Sequence, residues 1–390
     1  MTRSGGKLLG LLAALALAIG LNGCKQQGGS AADSDEIIIG EYASLTGTTA
    51  TFGVSTHNGV LLAIDEANAA GGINGKKIKL ITEDDRSKAD EARVVVTKLV
   101  TQNKAVAVLG EVASTRSMTA APVCQQYKVP MVSPSSTNPE VTRKGDYIFR
   151  VCFTDDFQAA VVGKFAYDKG YRKAAIFKDM KNDYSVAFAD NFAKSFIKQG
   201  GKVVGEQSYQ EGDTDFKSQL NTLKATGPDA ILCPGYYSEV GTIARQAREI
   251  GLNVPILGGD GWDSPKLVPG AGTALNGCFF SNHRFSRELE LPEIKAFIEN
   301  YKKKYNETPD ALAALGYDAA GLVVDAMKRA SKLDGPGIRD AIAQTKGFKG
   351  VTGVITLDEN RNARKEALIL RIDGEVFRVE KTYRPEELGQ

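Results

Sequence analysis

From residue 36 onward, short runs of β-branched apolar residues alternate with longer stretches whose apolar positions recur at helical spacing. EIIIGEYA (36–43) is followed by a helical pattern over 52–70, and KKIKLITEDD (76–85) by one over 89–102. A third unit runs from a strand at 105–110, through a helix opening near Ser114, to a strand at 129–134. The segment between those strands is long enough for a crossover helix, the connection that parallel neighbours require. Gly71, Gly72 and Gly75 close the first helix and turn the chain tightly. Repeated strand–helix alternation predicts an α/β fold with a doubly wound parallel sheet.

A further strand at 147–153 precedes a restart of the helical pattern at Asp155, and the second half then repeats the first in outline. Residues 75–114 and 201–238 each give a glycine-led strand, an acidic turn, an amphipathic helix and an apolar strand. Few positions are identical, so the similarity is one of architecture. The loop after Gly110 aligns with Gly235, Tyr236, Tyr237 and Ser238, and the strand end near Pro134 aligns with ILGGDGW (256–262). Two similar lobes that face each other with corresponding loops predict a ligand cleft between them. The last third holds helical patterns at 293–305, 311–330 and 337–345, then three strand-like runs at 351–358, 366–372 and 375–383. These runs are expected to complete both lobes by crossing back over the hinge.

Small hydroxylated residues cluster at two adjacent strand ends, Ser114 and Thr115 at one and Ser135, Ser136 and Thr137 at the other. In open parallel sheets ligands bind at the carboxyl ends of strands, where backbone N–H groups and helix N-termini face a cleft. Hydroxyls there suit a small anionic group such as a carboxylate. The same residue types also serve as helix caps and turn formers. The pairing of two clusters is what points to a site.

With 390 residues and 42% hydrophobic content, the chain can bury the cores of about two domains. Its first segment departs from the α/β pattern. Arg3 and Lys7 precede an apolar run over 8–21, too short and too one-sidedly flanked for a membrane span, so 1–23 reads as a signal peptide. Leu21, Asn22, Gly23 and Cys24 resemble a bacterial lipobox, which would make Cys24 the lipid-modified first mature residue. Residues 24–35 are polar and rich in Gly and Ser, and are expected to form a flexible tether. Without Arg3 and Lys7 the 49 basic residues fall to 47, matching 47 acidic ones. A formally neutral chain lacks the basic face that a phosphate backbone demands, which argues against nucleic acid as a partner.

Cys124, Cys152, Cys233 and Cys278 are too widely spaced for a small disulfide scaffold or a metal knuckle. With His57 and His283 as the only histidines, a zinc site or a histidine-dependent triad is poorly supplied. The glycines after the first strand, Gly47 and Gly53, do not have the G-x-G-x-x-G spacing of a dinucleotide site, and no G-x-S-x-G elbow occurs. An enzyme is therefore not expected, nor a cofactor or metal.

The segments IGEYASLTGTTATFG (39–53), LAIDEANAAGGINGKKIKL (62–80), VLGEVASTRSMTAA (108–121), VPMVSPSSTNPEVT (129–142), YIFRVCFTDDFQA (147–159), AILCPGYYSEVGTIARQAREIG (230–251) and PILGGDGW (255–262) occur in order along the chain. Together they resemble the branched-chain amino acid binding proteins of ABC importers, the leucine/isoleucine/valine-binding family with the type I periplasmic binding fold. The resemblance implies two Rossmann-like lobes joined by a three-strand hinge. One lobe would comprise 36–154 and 283–365, the other 155–282 and 366–390.

It also implies residue roles. Ser114 and Thr137, with backbone groups at Ser135, would hold a ligand's α-carboxylate, and Ser136 is a further ligand-binding candidate. Tyr236 and Asp260, from the facing lobe, would hold its α-ammonium. Asp260 stands where the family usually carries Glu, so its shorter arm calls for a nearer backbone or a water. Phe52, Tyr184 and Val112 would form the apolar pocket, with Leu312 and Tyr317 as further candidates. On their own, Phe52 also reads as a buried helix-start residue, Tyr184 as a surface aromatic and Asp260 as a turn former. Arg116 is expected to be solvated, and Trp262 to lie either at the cleft mouth or beneath it.

The implied activity is that of an extracytoplasmic lipoprotein at the periplasm or cell surface. It would capture an amino acid, foremost Leu, Ile or Val, as a monomer and deliver it to an ABC permease. The alternative is a sensor of the same fold that binds an amide or another small carboxylate.

Overall fold

The computed structural model describes residues 36–389; the expected signal peptide, Cys24 and the tether lie outside them. Strands β1 (Glu36–Ala43), β2 (Lys77–Asp84), β3 (Ala107–Leu109), β4 (Met131–Ser133) and β5 (Ile148–Arg150) form a parallel sheet in the order β2-β1-β3-β4-β5. Helices α1 (Ala50–Ala69), α2 (Ala89–Thr101) and α3 (Ser114–Tyr127) make the crossovers. Every residue of β3 and β4 is buried, as expected of strands covered on both faces by helices.

The second sheet has seven strands. β6 (Lys173–Asp179), β7 (Lys202–Tyr209), β8 (Ala230–Leu232), β9 (Ile256–Gly258) and β10 (Phe279–His283) pair in parallel in the order β7-β6-β8-β9-β10. That order matches the first sheet strand for strand, so the repeat visible in the sequence is a repeat of topology. Its helices are α4 (Asp155–Asp168), α5 (Asp183–Lys198), α6 (Lys217–Ala225), α7 (Tyr237–Glu249) and the short α8 (Leu267–Ala271).

The chain passes between the sheets three times: after β5, after β10 and before the C-terminal strands. After β10, α9 (Pro292–Tyr305) and α10 (Ala311–Arg329) return to the first lobe and pack on α1, and α11 (Gly335–Ala343) packs on α10. The α1–α10 crossing is close because it is lined by glycine. A Cβ on Gly59 would lie 1.9 Å from the Ala313 carbonyl oxygen, and one on Gly316 would lie 2.3 Å from that of Thr56.

One expectation for the C-terminal third needs correction. The run at 351–358 does not form one strand: β11 (Phe348–Gly350) and β12 (Gly353–Ile355) pair as a separate antiparallel hairpin. The buried Asp318 carboxylate accepts the backbone N–H groups of Val351 at 2.6 Å and Thr352 at 2.9 Å, which withdraws them from a ladder, and Gly353, at φ 109°, reverses the chain. The last two runs, β13 (Ala367–Asp373) and β14 (Val376–Tyr383), both extend the second sheet beyond β10 through antiparallel pairing. The turn between Asp373 and Val376, with Gly374 at φ 61°, is too tight to let them part. The four cysteines at 124, 152, 233 and 278 are buried free thiols. Burial pushes those of Cys124, Cys152 and Cys233 up to about 12, so they stay protonated and inert.

Candidate functional site

A small cavity lies where the carboxyl ends of β3 and β4 face those of β8 and β9. The first lobe contributes Phe52, Val112, Ser114, Ser135, Thr137 and Leu312 to its wall, and the second contributes Tyr184, Tyr236, Asp260 and Gly261.

On the first-lobe side, Ser114 opens α3, and the first N–H groups of a helix have no intrahelical acceptor. Their partial positive charge faces the cavity beside the Ser114, Ser135 and Thr137 hydroxyls, an arrangement that favours an anion. Behind this wall, Glu111 organises the loop between β3 and α3. Its Oε2 accepts the Ala113 N–H at 2.6 Å and the Arg116 Nε–H at 2.9 Å, while its Oε1 accepts the Ser44 hydroxyl at 2.9 Å. Arg116 also donates to Thr49 Oγ1 at 2.8 Å. Arg116 is thus buried and paired, not solvated as the sequence suggested, because its counter-ion lies only five residues earlier in the same turn. Arg150, fully buried, donates to the carbonyls of Ser136 at 2.6 Å and Asn138 at 2.7 Å and so clamps the second hydroxyl loop.

Ser136 does not line the cavity. Its hydroxyl points backward, 2.8 Å from the Glu111 carbonyl, 3.0 Å from that of Val112 and 2.7 Å from Ser117 Oγ, which ties the two strand-end loops together. Tyr317 also lies elsewhere, on Glu66 and Phe297, whereas Leu312, one helical turn earlier in α10, does reach the cavity.

On the second-lobe side, the rings of Tyr184 and Tyr236 stack at 5.5 Å, and Phe52 meets Tyr236 edge-on at 5.4 Å across the cleft. Burial raises both tyrosine hydroxyls above their ordinary range, so they act as neutral phenols. Asp260 follows β9. Its Oδ1 accepts from Gln158 Nε2 at 2.9 Å, and Gln158 also donates to Asp155 Oδ1 at 2.7 Å. Burial, followed by the neighbouring Asp260 carboxylate, raises the Asp155 carboxyl far above its usual range, which favours its protonated form, and of the two only Asp260 lines the cavity. Trp262 lies beneath the site, fully buried, with its Nε1 donating to the Cys233 carbonyl at 3.1 Å. Among the described residues no group of three or more His, Cys, Asp or Glu is placed to hold a metal ion.

The cavity is therefore polarised, with a carboxylate on the second lobe, a helix N-terminus and hydroxyls on the first, and aromatic and aliphatic groups between them. A family model described as "Periplasmic binding protein" matches residues 36–375. The chain belongs to that family.

Among periplasmic binding proteins, the leucine-, isoleucine-, valine-, threonine-, and alanine-binding protein of Pseudomonas aeruginosa is 30% identical over 329 residues, which cover 84% of this chain and 87% of that one. A leucine binding protein from Thermotoga maritima, of known structure, is 36% identical with a TM-score of 0.86, over 90% of this chain and 99% of that one. The branched-chain amino acid transporter substrate binding protein of Streptococcus pneumoniae, solved in complex with isoleucine, is 36% identical with a TM-score of 0.84, over 90% of this chain and all of that one. The topology described above is the type I periplasmic binding fold.

In this binding protein the lobes touch directly around the cavity. Thr51 Oγ1 and Ser264 Oγ are 3.1 Å apart, the Tyr237 hydroxyl donates to the Thr48 carbonyl at 3.1 Å, and Asn138 Nδ2 donates to the Asp183 carbonyl at 2.9 Å. Asp263, from the second lobe, accepts the Ala311 N–H at the start of α10 at 2.9 Å.

The Glu111 network also holds Asp85, whose Oδ1 accepts the Ser44 hydroxyl at 2.7 Å and the Ser87 N–H at 2.9 Å. Burial, then the neighbouring Glu111 charge, pushes the Asp85 carboxyl up to about 7 from an ordinary 3.8. A carboxyl with its folded value raised stabilises the fold fully below the unfolded value and loses that contribution as pH rises through the folded one, here between about 4 and about 7. Replacing Asp85 by Asn should therefore raise stability relative to wild type progressively from about pH 4.5 to pH 8, as read by urea denaturation. A difference that stays constant with pH would assign that carboxyl no role.

Proposed function

We propose that this chain is an extracytoplasmic solute receptor that captures a branched-chain amino acid, Leu, Ile or Val, between its lobes and hands it to an ABC permease. The observation that carries the reading is the polarity of the cavity: a single acidic side chain, Asp260, opposes a helix N-terminus flanked by hydroxyls. A zwitterion satisfies both ends, whereas a lone carboxylate would leave Asp260 buried without a cation, which is costly. Ser114, Ser135 and Thr137 hold the ligand carboxylate, and Tyr236 and Asp260 hold the ammonium. Phe52, Tyr184, Val112 and Leu312 cover the side chain. Relatives named for leucine, isoleucine and valine, and one solved with isoleucine, support the ligand class.

Ligand contacts from both lobes are complete only when the lobes meet, so binding favours the closed form. The lobes divide at the crossovers near residues 154, 283 and 365, and the permease would read the closed surfaces of both. Cys24 anchors the protein to the membrane as a monomer, with 24–35 as a tether. No bond is made or broken in the ligand.

Isothermal titration calorimetry on protein unfolded and refolded to strip carried-over ligand tests the reading. Leu, Ile and Val should bind at micromolar affinity or tighter, and binding should vanish when either the amino or the carboxylate group is removed. A folded protein that binds none of them, or that binds the deaminated acids equally well, would overturn it.

A further inference from the structure

His283 is the last residue of β10, at the point where the chain leaves the second sheet for the first lobe, and it is fully buried. Its Nε2 is 3.2 Å from Asp260 Oδ2 and 3.5 Å from Ser135 Oγ, and Ser135 Oγ donates to the same Asp260 oxygen at 3.4 Å. A first-lobe residue and a crossover residue therefore converge on a single carboxylate oxygen of the second lobe. The other oxygen of Asp260 belongs to Gln158, whose amide is fixed in turn by the Ser281 hydroxyl at 2.9 Å and by Asp155. The imidazole lies flat on Phe153, with ring centroids 3.9 Å apart, just before the crossover into α4.

The protonation state of His283 follows from its surroundings. Its Nδ1 is buried and has no hydrogen-bond partner among the described residues. A proton there would be a buried donor without an acceptor, so the single hydrogen sits on Nε2, where it donates to Asp260. The charged groups facing the ring are Asp260, which favours a second proton, and Lys365, which opposes it. Asp155, linked through Gln158, is itself pushed toward its protonated form. Burial outweighs Asp260 and holds the imidazole below its ordinary pKa, hence neutral.

We propose that His283 is a positioning residue for ligand capture: its Nε2–H, opposite Gln158, locks the Asp260 carboxylate in the orientation that receives the ligand's ammonium and ties that orientation to a crossover between the lobes. This rests on the reading of Asp260 as the ammonium partner. A carboxylate can rotate about its terminal torsion, and two N–H donors, one on each oxygen, remove that freedom before the ligand arrives. A neutral donor does so without cancelling the negative charge, which an imidazolium would.

The test is calorimetry with leucine on wild type, His283→Gln and His283→Leu, together with long-range 1H–15N NMR of wild type. Gln places an amide N–H near the position of Nε2, so His283→Gln should keep leucine affinity within about threefold, while His283→Leu, which keeps the volume but has no donor, should lose at least tenfold. Equal losses in the two variants, in step with their melting temperatures, would assign the residue a packing role only. With two histidines in the chain, the His283 signals are identified as those missing from His283→Gln. They should show the neutral Nε2–H tautomer from pH 8 to about pH 5.5. An Nδ1–H tautomer, or titration near pH 6.5, would overturn the proposal even if a variant fails to fold. If wild type binds no amino acid, the receptor reading fails instead, and the NMR spectrum still decides whether His283 donates to Asp260.

Discussion

Replacing Asp260 by alanine is expected to weaken leucine binding by about 2–5 kcal/mol, roughly 30-fold to several-thousand-fold, while the protein remains folded. In the free protein Asp260 is held by Gln158 and His283, with 5% of its surface exposed. A ligand ammonium desolvated against it would, in the variant, keep its buried charge and lose its partner, and that penalty dominates the loss. Asp260→Asn separates charge from shape, since the amide preserves volume and can accept from one neighbour; it should lose nearly as much as the alanine variant. Asp155 does not rescue either variant, because burial is the first cause of its raised pKa and persists when the Asp260 charge is gone. Calorimetry with leucine, with circular dichroism as the folding control, reads the result. An affinity within threefold of wild type would withdraw Asp260 from the ammonium.

The second large effect is expected in stability. Arg116→Leu leaves Glu111 as a buried, uncompensated carboxylate with Asp85 nearby, and removal of one partner from such a pair costs about 3–5 kcal/mol. Some ligand affinity should follow, since Glu111 also holds the Ala113 N–H and thereby the start of α3 at Ser114. The penalty has a sign that depends on pH. Without the guanidinium, which lowers it, the folded-state pKa of the Asp85 carboxyl rises further above its unfolded value, so stability is present at low pH and lost as pH increases. The gap between variant and wild type in urea denaturation should therefore be small near pH 5 and large near pH 8. Adding Glu111→Gln to Arg116→Leu removes the stranded charge and should recover more than half of the loss at pH 8. A gap that does not vary with pH and is not relieved by Glu111→Gln would assign the loss to packing.

The α/β alternation was legible because short β-branched strands and longer amphipathic helices differ in both period and length, and parallel strands buried on two faces need unbroken apolar runs such as those at β3 and β8. The repeated topology was legible for the same reason. Placement of adjacent hydroxyls was not: Ser135 faces the cavity and Ser136 faces away because the path of one loop, clamped by Arg150, turns their side chains in opposite directions. The burial of Arg116 depended on a counter-ion in a loop whose shape no periodicity encodes. Gln158 and His283 reach Asp260 from α4 and from the end of β10, more than 100 and more than 20 positions away respectively; Gln158 stands in the family-like segment 147–159 without a role implied for it, and His283 stands in none of those segments. The available signal was the polar end of a strand, where Ser281, Asn282 and His283 follow Phe279 and Phe280. The hairpin at β11–β12 was hidden because the run at 351–358 alternates like a strand, while the Asp318 carboxylate that diverts its N–H groups lies 33 positions earlier.

The contacts between Thr51 and Ser264, Tyr237 and Thr48, and Asn138 and Asp183 lie outside the cavity wall. They act on the closing equilibrium alone, and that equilibrium enters every ligand's apparent affinity as the same factor. Grip and choice are therefore separable in this molecule: substitutions at the rim rescale all affinities together and leave their ranking intact, while substitutions in the wall reorder the ranking. A lineage that moves to a richer or poorer environment can thus retune its binding threshold by substitutions at the rim, with no change in what it binds.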